Sequence, residues 1–515
     1  MVRLFSLLSA VFLFSTAFGQ HDAQRNAMWK IGQEDPAAFL KEFTNPKVDA
    51  GMHETYMVNI LRLLAHDEVD DAMVVAKDAL EAGLPPERLL AGPRDLLSKL
   101  SGQPGFDELP GIAEVAPVIH GPMLGNLTDD GVSVWVRTRD PERLKLVIDG
   151  GGATSGVSTV ESDHTAELTI SGLEANTHYT GKIVREGDEE TVLGFVDFTT
   201  RSPVGEPGKF KVAFGGGAGY VPEWEYMWDT IAAFEPNALL MLGDNVYIDD
   251  PESQWTQDYC YHRRQSRSEW RRLVSVVPVY SIYDDHDFGD NDCIPGPEIE
   301  KPAWKRPVWE TFCQNWVNPG YGGGEEQPGC WYSFSIADVD FFMLDGRYYR
   351  DLKGGSMLGP VQKAWLKEAL KASDATFKLL VSPVPFTPGI KPGSKDPWDG
   401  YPEEREEIFS LLEEEEIEGV FLVAADRHRT DLRKNKRENG YPLYEFESSR
   451  LTNRHVHNIP QTPGLIWGYR DTCSFGLMEF DTTQDDPRVT MRCIDIDGVE
   501  RESFVLKRSE LGFGE

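Results

Sequence analysis

Six short apolar runs, each ending abruptly in polar residues, constrain this chain more than any other feature. FKVAF (210–214) leads into GGGAGYVP, ALLML (238–242) into GDNVY, and VPVYSIY (277–283) into DDHD. VDFFMLD (339–345) leads into GRYYRD, KLLVSPVPF (378–386) into a Pro/Gly loop, and GVFLVAAD (419–426) into RHRTD. Continuous runs of this length suit strands buried on both faces of a layered α/β domain, here spanning residues 208–507. In open α/β sheets ligands gather at the carboxyl ends of the strands. The scattered polar clusters therefore predict one shared site.

A chain of 515 residues is too long for one ordinary core, and the sequence ahead of that domain divides into three further parts. Residues 1–19 hold one early Arg, an apolar run, and Ala17 and Gly19 in a small-residue cleavage pattern. This reads as a Sec-type signal peptide and predicts a secreted or periplasmic protein; no later apolar run is long enough to span a membrane. Residues 20–110 show helical periodicity, with Met57, Ile60, Leu61 and Leu64 on one face and Ala72, Val75, Ala76 and Ala79 on another. From 111 to 203 the period becomes two: Val132, Val134 and Val136 alternate, as do Ala166, Leu168 and Ile170, which predicts a β-sandwich. The Leu173…Tyr179 spacing resembles the tyrosine corner of fibronectin type III domains. The six cysteines suit an oxidising compartment, and Cys473 and Cys493 flank a hairpin-like segment in which a bridge is expected.

The balance of 51 Lys+Arg against 85 Asp+Glu gives a net charge of −34, which repels nucleic acid and argues against it as a partner. Local cations must then offset that field for any anionic substrate. The stretch YDDHDFGDND (283–292) places five aspartates in ten residues without a single Lys or Arg. Either it is a solvated acidic loop or it carries its own cations. Its apolar lead-in and its histidine favour cations. Asp244 and Tyr247, Asp284 to Asp287, and Asp426 with His428 all follow strand-like runs. Carboxylates and imidazoles converging in this way suit a pair of metal ions.

With these motifs in view, the chain resembles the alkaline phosphatase D (PhoD-like) branch of the metallophosphoesterases. LGDNVYID, VPVYSIYDDHDFGDND, FFMLDGRYYRD, LGPVQKAWL, AADRH and YEFESSRLTN occur in that family's order behind a fibronectin-III-like module. The resemblance covers about residues 115–500 and implies two or more metal ions, small phosphate ester substrates, and hydrolysis of monoesters or diesters by a metal-bound hydroxide. It implies metal binding by Asp244, Tyr247, Asp285, His286, Asn291, Asp426 and His428. Asp244, His286, Arg347 and His428 would serve catalysis, with Arg347 and Arg350 contacting phosphate. Tyr247 has an alternative as a packed strand-end residue, and Arg347 as an ion-pair partner of Asp345 or Asp351.

The sequence departs from the family at one position. Gly217 stands where a metal-binding cysteine is common, so calcium, manganese, zinc or magnesium takes precedence over thiolate-bound iron. That departure keeps open a degenerate metal- or phosphate-binding protein without turnover, beside a strict phosphodiesterase and a surface adhesin. Four further features are ambiguous. The helix with His262, Arg263, Arg264 and Arg267 borders the pocket or is a solvated face. His455-x-His457 suggests a loop near the pocket mouth, and IDIDG (494–498) a strand entering a turn rather than a calcium loop. No G-x-S-x-G motif supports a serine nucleophile.

Overall fold

All six apolar runs become strands of two mixed sheets in the computed structural model, which describes residues 22–32 and 52–514. The signal-like stretch 1–19 lies outside the described residues. One sheet joins β8 (Lys209–Gly215), β9 (Ala238–Leu242), β10 (Val279–Ile282), β18 (Ser474–Asp481), β19 (Arg488–Asp495) and β20 (Glu500–Lys507) in the order β10-β9-β8-β18-β19-β20. The other joins β11 (Tyr332–Ile336), β12 (Val339–Met343), β13 (Phe377–Val381), β14 (Val420–Ala424), β15 (Thr430–Asn435), β16 (Leu443–Ser448) and β17 (Leu465–Tyr469) in the order β11-β12-β13-β14-β16-β15-β17. Strands β8–β9–β10 and β12–β13–β14–β16 run parallel, with every residue of β9, β13 and β14 buried. The sheets meet face to face through Phe480 of β18 against Phe377 and Phe421, and through Phe214 of β8 against Phe446.

Ahead of this body, β1 (Val118–Gly125), β2 (Gly131–Thr138) and β5 (Thr165–Ser171) form one antiparallel sheet in the order β1-β2-β5. Strands β3 (Arg143–Ile148), β4 (Gly152–Val157), β6 (His178–Arg185) and β7 (Asp188–Thr199) form a second, β4-β3-β6-β7. The alternating valines of β2 and Ala166, Leu168 and Ile170 of β5 share the core between them. The Tyr179 hydroxyl accepts the Glu174 backbone N–H at 3.0 Å, as a tyrosine corner requires.

The N-terminal helices α1 (Ala23–Met28), α2 (Met52–Ala65), α3 (Val69–Glu81) and α4 (Arg94–Ser101) bury the predicted apolar faces, except that Val75 is only half-buried. Helix α5 (Gln254–Gln265) corrects an expectation. His262, Arg263 and Arg264 are 0–3% exposed, so they do not form a solvated face. They pair respectively with Asp163 of the sandwich, Asp22 ahead of α1, and Glu225. The Cys473–Cys493 bridge is also corrected: both thiols are free. Cys493 lies opposite Gly476 in the β18–β19 register, while the Cys473 carbonyl accepts Ile496 N–H at 2.9 Å. The IDIDG segment ends β19 in a turn, where Asp495 accepts the Asp497 and Val499 backbone N–H groups. No helix among the described residues is long and apolar enough to cross a membrane.

Candidate metal centre

Where β9 ends, Gly243 turns with φ +97°, and a Cβ there would meet Asp284 Cβ at 2.4 Å. Asp244, Tyr247 and Asp249 then take φ of 55°, 54° and 49°, and Asp426 and His428 beyond β14 take 70° and 43°. Left-handed backbone costs a non-glycine residue on the order of 1–2 kcal/mol, and its clustering marks a functional site. The two loops after β9 and β10 clasp each other. Asp287 accepts the N–H groups of Asn245 and Val246, each at 2.9 Å, and the His286 carbonyl accepts Ile248 N–H at 2.7 Å.

This clasp brings one donor atom each from Asp244, Asp285 and His286 within 4.8 Å of one another, all three residues buried. The Tyr247 hydroxyl donates to Asp244 Oδ2 at 2.8 Å, stands 2.9 Å from His428 Nε2, and accepts Asn453 Nδ2 at 2.5 Å. His286 stacks on Tyr247 at 4.7 Å, and its Nδ1 pairs with Asp249, which also pairs with Arg25 of α1. Burial pushes the Asp244 and Asp284 carboxyls well above the ordinary carboxylate range, and the neighbouring Asp285 charge adds to both. Burial works the same way on Asp285, yet Arg347 and His286 hold that carboxyl low. Asp244 Oδ1 and Asp284 Oδ2 are buried and make no hydrogen bond. Orphaned carboxylate oxygens in a crowded acidic cluster beside an imidazole fit divalent cations.

The remaining predicted residues divide. Tyr247 and His428 stand beside this cluster. Asp426 is half-buried and reaches Arg427 at 3.4 Å. Asn291 is exposed, whereas its neighbour Asp292 donates its backbone N–H to Asp285 Oδ2 at 2.6 Å. Arg347 and Arg350 are fully buried and committed to carboxylates: Arg347 to Asp284 and, at 2.7 Å, to Asp396; Arg350 to Asp396 at 2.7 Å. The expected side-chain partners Asp345 and Asp351 are not the ones used. Although burial opposes it, Arg347, Arg350 and Lys391 hold the Asp396 carboxyl far below its usual range.

Asp249, Asp396 and Asn453 were not foreseen. Asp249 lies inside LGDNVYID and Asn453 inside YEFESSRLTN, so both motifs carried a signal; Asp396 sits in a Pro/Gly loop that carried none. His455 and His457 lie directly against His428, at ring-centroid distances of 5.3 and 5.0 Å. Burial, followed by the Arg427 charge, pushes the His457 imidazole down to about 3; burial also lowers His455, and lowers His428 strongly. All three are neutral near pH 7. Gly217 has φ +65°, and a Cβ there would lie 2.0 Å from the Ser449 carbonyl oxygen and 3.2 Å from His428 Cδ2.

Comparison with known proteins agrees with this architecture. Residues 212–463 match the family described as PhoD-like phosphatase, and residues 115–193 match a domain of unknown function, DUF7800. Alkaline phosphatase D of Bacillus subtilis (strain 168) is 22% identical over 383 residues, covering 64% of this chain and 64% of that protein. The match thus spans less than two thirds of that relative's length. Among solved structures, one of PhoD superposes with a TM-score of 0.64 at 17% identity, covering 77% of this chain and 91% of the other. Purple acid phosphatase PPD1 from yellow lupin (Lupinus luteus) seeds superposes with a TM-score of 0.57 at 13% identity, covering 76% and 75%. These two likenesses define the fold, that of the metallophosphoesterases. Residues 212–463, just under half of the chain, match the PhoD-like family, with their strand-end motifs in that family's order.

Proposed function

We propose that this chain is a metal-dependent phosphoesterase acting on phosphomonoesters, phosphodiesters or both. One observation carries the reading: Asp244, Asp285 and His286 converge, buried, at the strand ends of a segment matching the PhoD-like phosphatases. Cations would be held by Asp244, Asp285 and His286, with Tyr247 and Asp426 at their edge, and would supply Lewis acidity toward a phosphoryl oxygen. The chain's own residues do the rest. Tyr247, donating to Asp244 Oδ2, fixes that carboxylate. Asp249 orients His286 through Nδ1, as a partner behind a metal-binding imidazole does. The neutral His428 keeps Nε2 2.9 Å from the Tyr247 hydroxyl, where it takes or gives a proton. Arg347 and Arg350 act as positioning residues, setting Asp284, Asp285 and Asp396.

The donor set favours calcium, manganese, zinc, magnesium or iron bound without a thiolate, because Gly217 offers no side-chain ligand. The strand order and tyrosine corner of the sandwich support a fibronectin-III-like module, and the pattern of residues 1–19 supports export. Gly217 also favours a second reading, a metal- or phosphate-binding protein without turnover.

Hydrolysis of p-nitrophenyl phosphate and its bis-ester decides between the two. The chain is stripped with a chelator, then given calcium, manganese, zinc or iron separately. Turnover is expected to vanish and return with metal, and to be absent from an Asp285→Asn/His428→Ala variant. No turnover with any metal would leave the binding-protein reading.

A further inference from the structure

The loop after β16 carries two histidines for which the phosphoesterase reading has no use. His455 Nε2 and His457 Nε2 face each other at 2.8 Å, and both rings lie against His428, with the His457 ring parallel to it within 13°. One ring nitrogen from each of the three lies within 4.8 Å of the other two. Two neutral imidazole nitrogens at hydrogen-bond distance share a single proton. His428 Nδ1 is buried without a hydrogen bond. Such a gathering is uphill unless a common partner joins it.

The backbone holds the loop in place for that partner. Asn453 Oδ1 accepts His455 N–H at 2.8 Å, and Thr452 Oγ1 donates to the Gly219 carbonyl at 2.7 Å. Arg450 donates to the carbonyls of Asn453 and Arg470 at 3.1 and 2.7 Å. A Cβ at Gly217 would stand 3.2 Å from His428 Cδ2, so glycine there leaves that edge of the ring uncrowded.

We propose that His428, His455 and His457 form a second metal site, taking a transition-metal dication of the zinc, cobalt or nickel class. The triad is purely imidazole, and such donors select borderline metals over calcium and magnesium. Zinc–nitrogen bonds of about 2.0–2.1 Å place tetrahedral ligands roughly 3.4 Å apart. The 2.8 Å pair needs to part by only a few tenths of an ångström to accept it. Tyr247 holds Nε2 of His428, which leaves Nδ1 for the triad and makes His428 the link between the two sites. The proposal rests on the phosphoesterase reading only through that shared residue.

The test is metal stoichiometry on the full chain. Metal-free protein titrated with cobalt should show the visible absorption of nitrogen ligation. A His455→Gln/His457→Gln variant should lose that signal and bind about one equivalent less zinc by elemental analysis. On the unaltered chain, where misfolding of a variant is not at issue, diethyl pyrocarbonate modification of His455 and His457, read by peptide mass, should slow about tenfold with zinc but not with calcium. Equal zinc content in variant and parent, or modification unchanged by zinc, would overturn the site. Hydrolysis is scored separately. Loss of an equivalent in a chain without turnover would support this site and sink the phosphoesterase reading; turnover with no change in stoichiometry would do the reverse.

Discussion

Gly217 shows how one position limits the chemistry open to this chain. With φ +65° and a Cβ position 2.0 Å from the Ser449 carbonyl oxygen, the backbone there is shaped for glycine. A thiolate cannot simply be written back in. Gly217→Ala and Gly217→Cys should each lose at least about 1–2 kcal/mol of stability from the left-handed conformation alone, before the steric overlap is counted. Thermal unfolding measures that loss, and iron content of Gly217→Cys should not rise; a stable, iron-loaded variant would show that the loop adapts. At this scale the sequence was informative wherever a side chain's identity and its place after an apolar run sufficed, as for Asp244, Asp285, His286 and His428. It was silent where the partner is remote. Arg347 is 63 residues from Asp284 and 49 from Asp396, so nearness along the chain pointed instead to Asp345 and Asp351.

Among elements, the strands were legible because two-sided burial writes an uninterrupted apolar run, and the sandwich because one-sided burial writes an alternating one. Helix α5 was not. Its His262, Arg263 and Arg264 look like a solvated face until the sandwich, α1 and the Glu225 loop close around it. That enclosure has a pH consequence. Burial, then Arg137, pushes the His262 imidazole down to about 3, against roughly 6.5 when unfolded. Between those values the unfolded chain binds the extra proton, so stability is full above about pH 6.5 and falls as pH drops through the window, by at most about 1.4 kcal/mol per unit. Asp163, Arg137 and Arg94 surround the ring; Asp163, held below its usual range, adds loss only at lower pH. Asp258, raised to about 7, titrates in both chains compared. Denaturant midpoints at pH 7 and 5 should therefore converge more in His262→Gln than in the parent, and an identical slope in both would refute this assignment.

For the molecule as a whole, a net charge of −34 and a buried acidic cluster oppose folding together. Cations at the Asp244 cluster relieve both, so metal should stabilise the fold beyond any effect on turnover. A ligand at one hundred times its Kd adds about 2.7 kcal/mol, which for a chain of this length corresponds to a rise of roughly 2–3 °C in Tm. Calorimetry with and without chelator reads this directly, and an unchanged Tm would mean the acidic cluster does not bind cations. Which strand ends meet was predictable from their order. Which loops support them was not, since that depends on packing across the whole body. The pairing of Arg25 with Asp249, and of Asp249 with His286, extends this dependence to the first described helix. A chain trimmed to residues 212–463 keeps every motif by which its family is recognised, yet loses the cation that steadies its metal-facing imidazole. Boundaries drawn from family similarity would thus yield a fragment complete to a sequence search and incomplete around its buried acidic cluster.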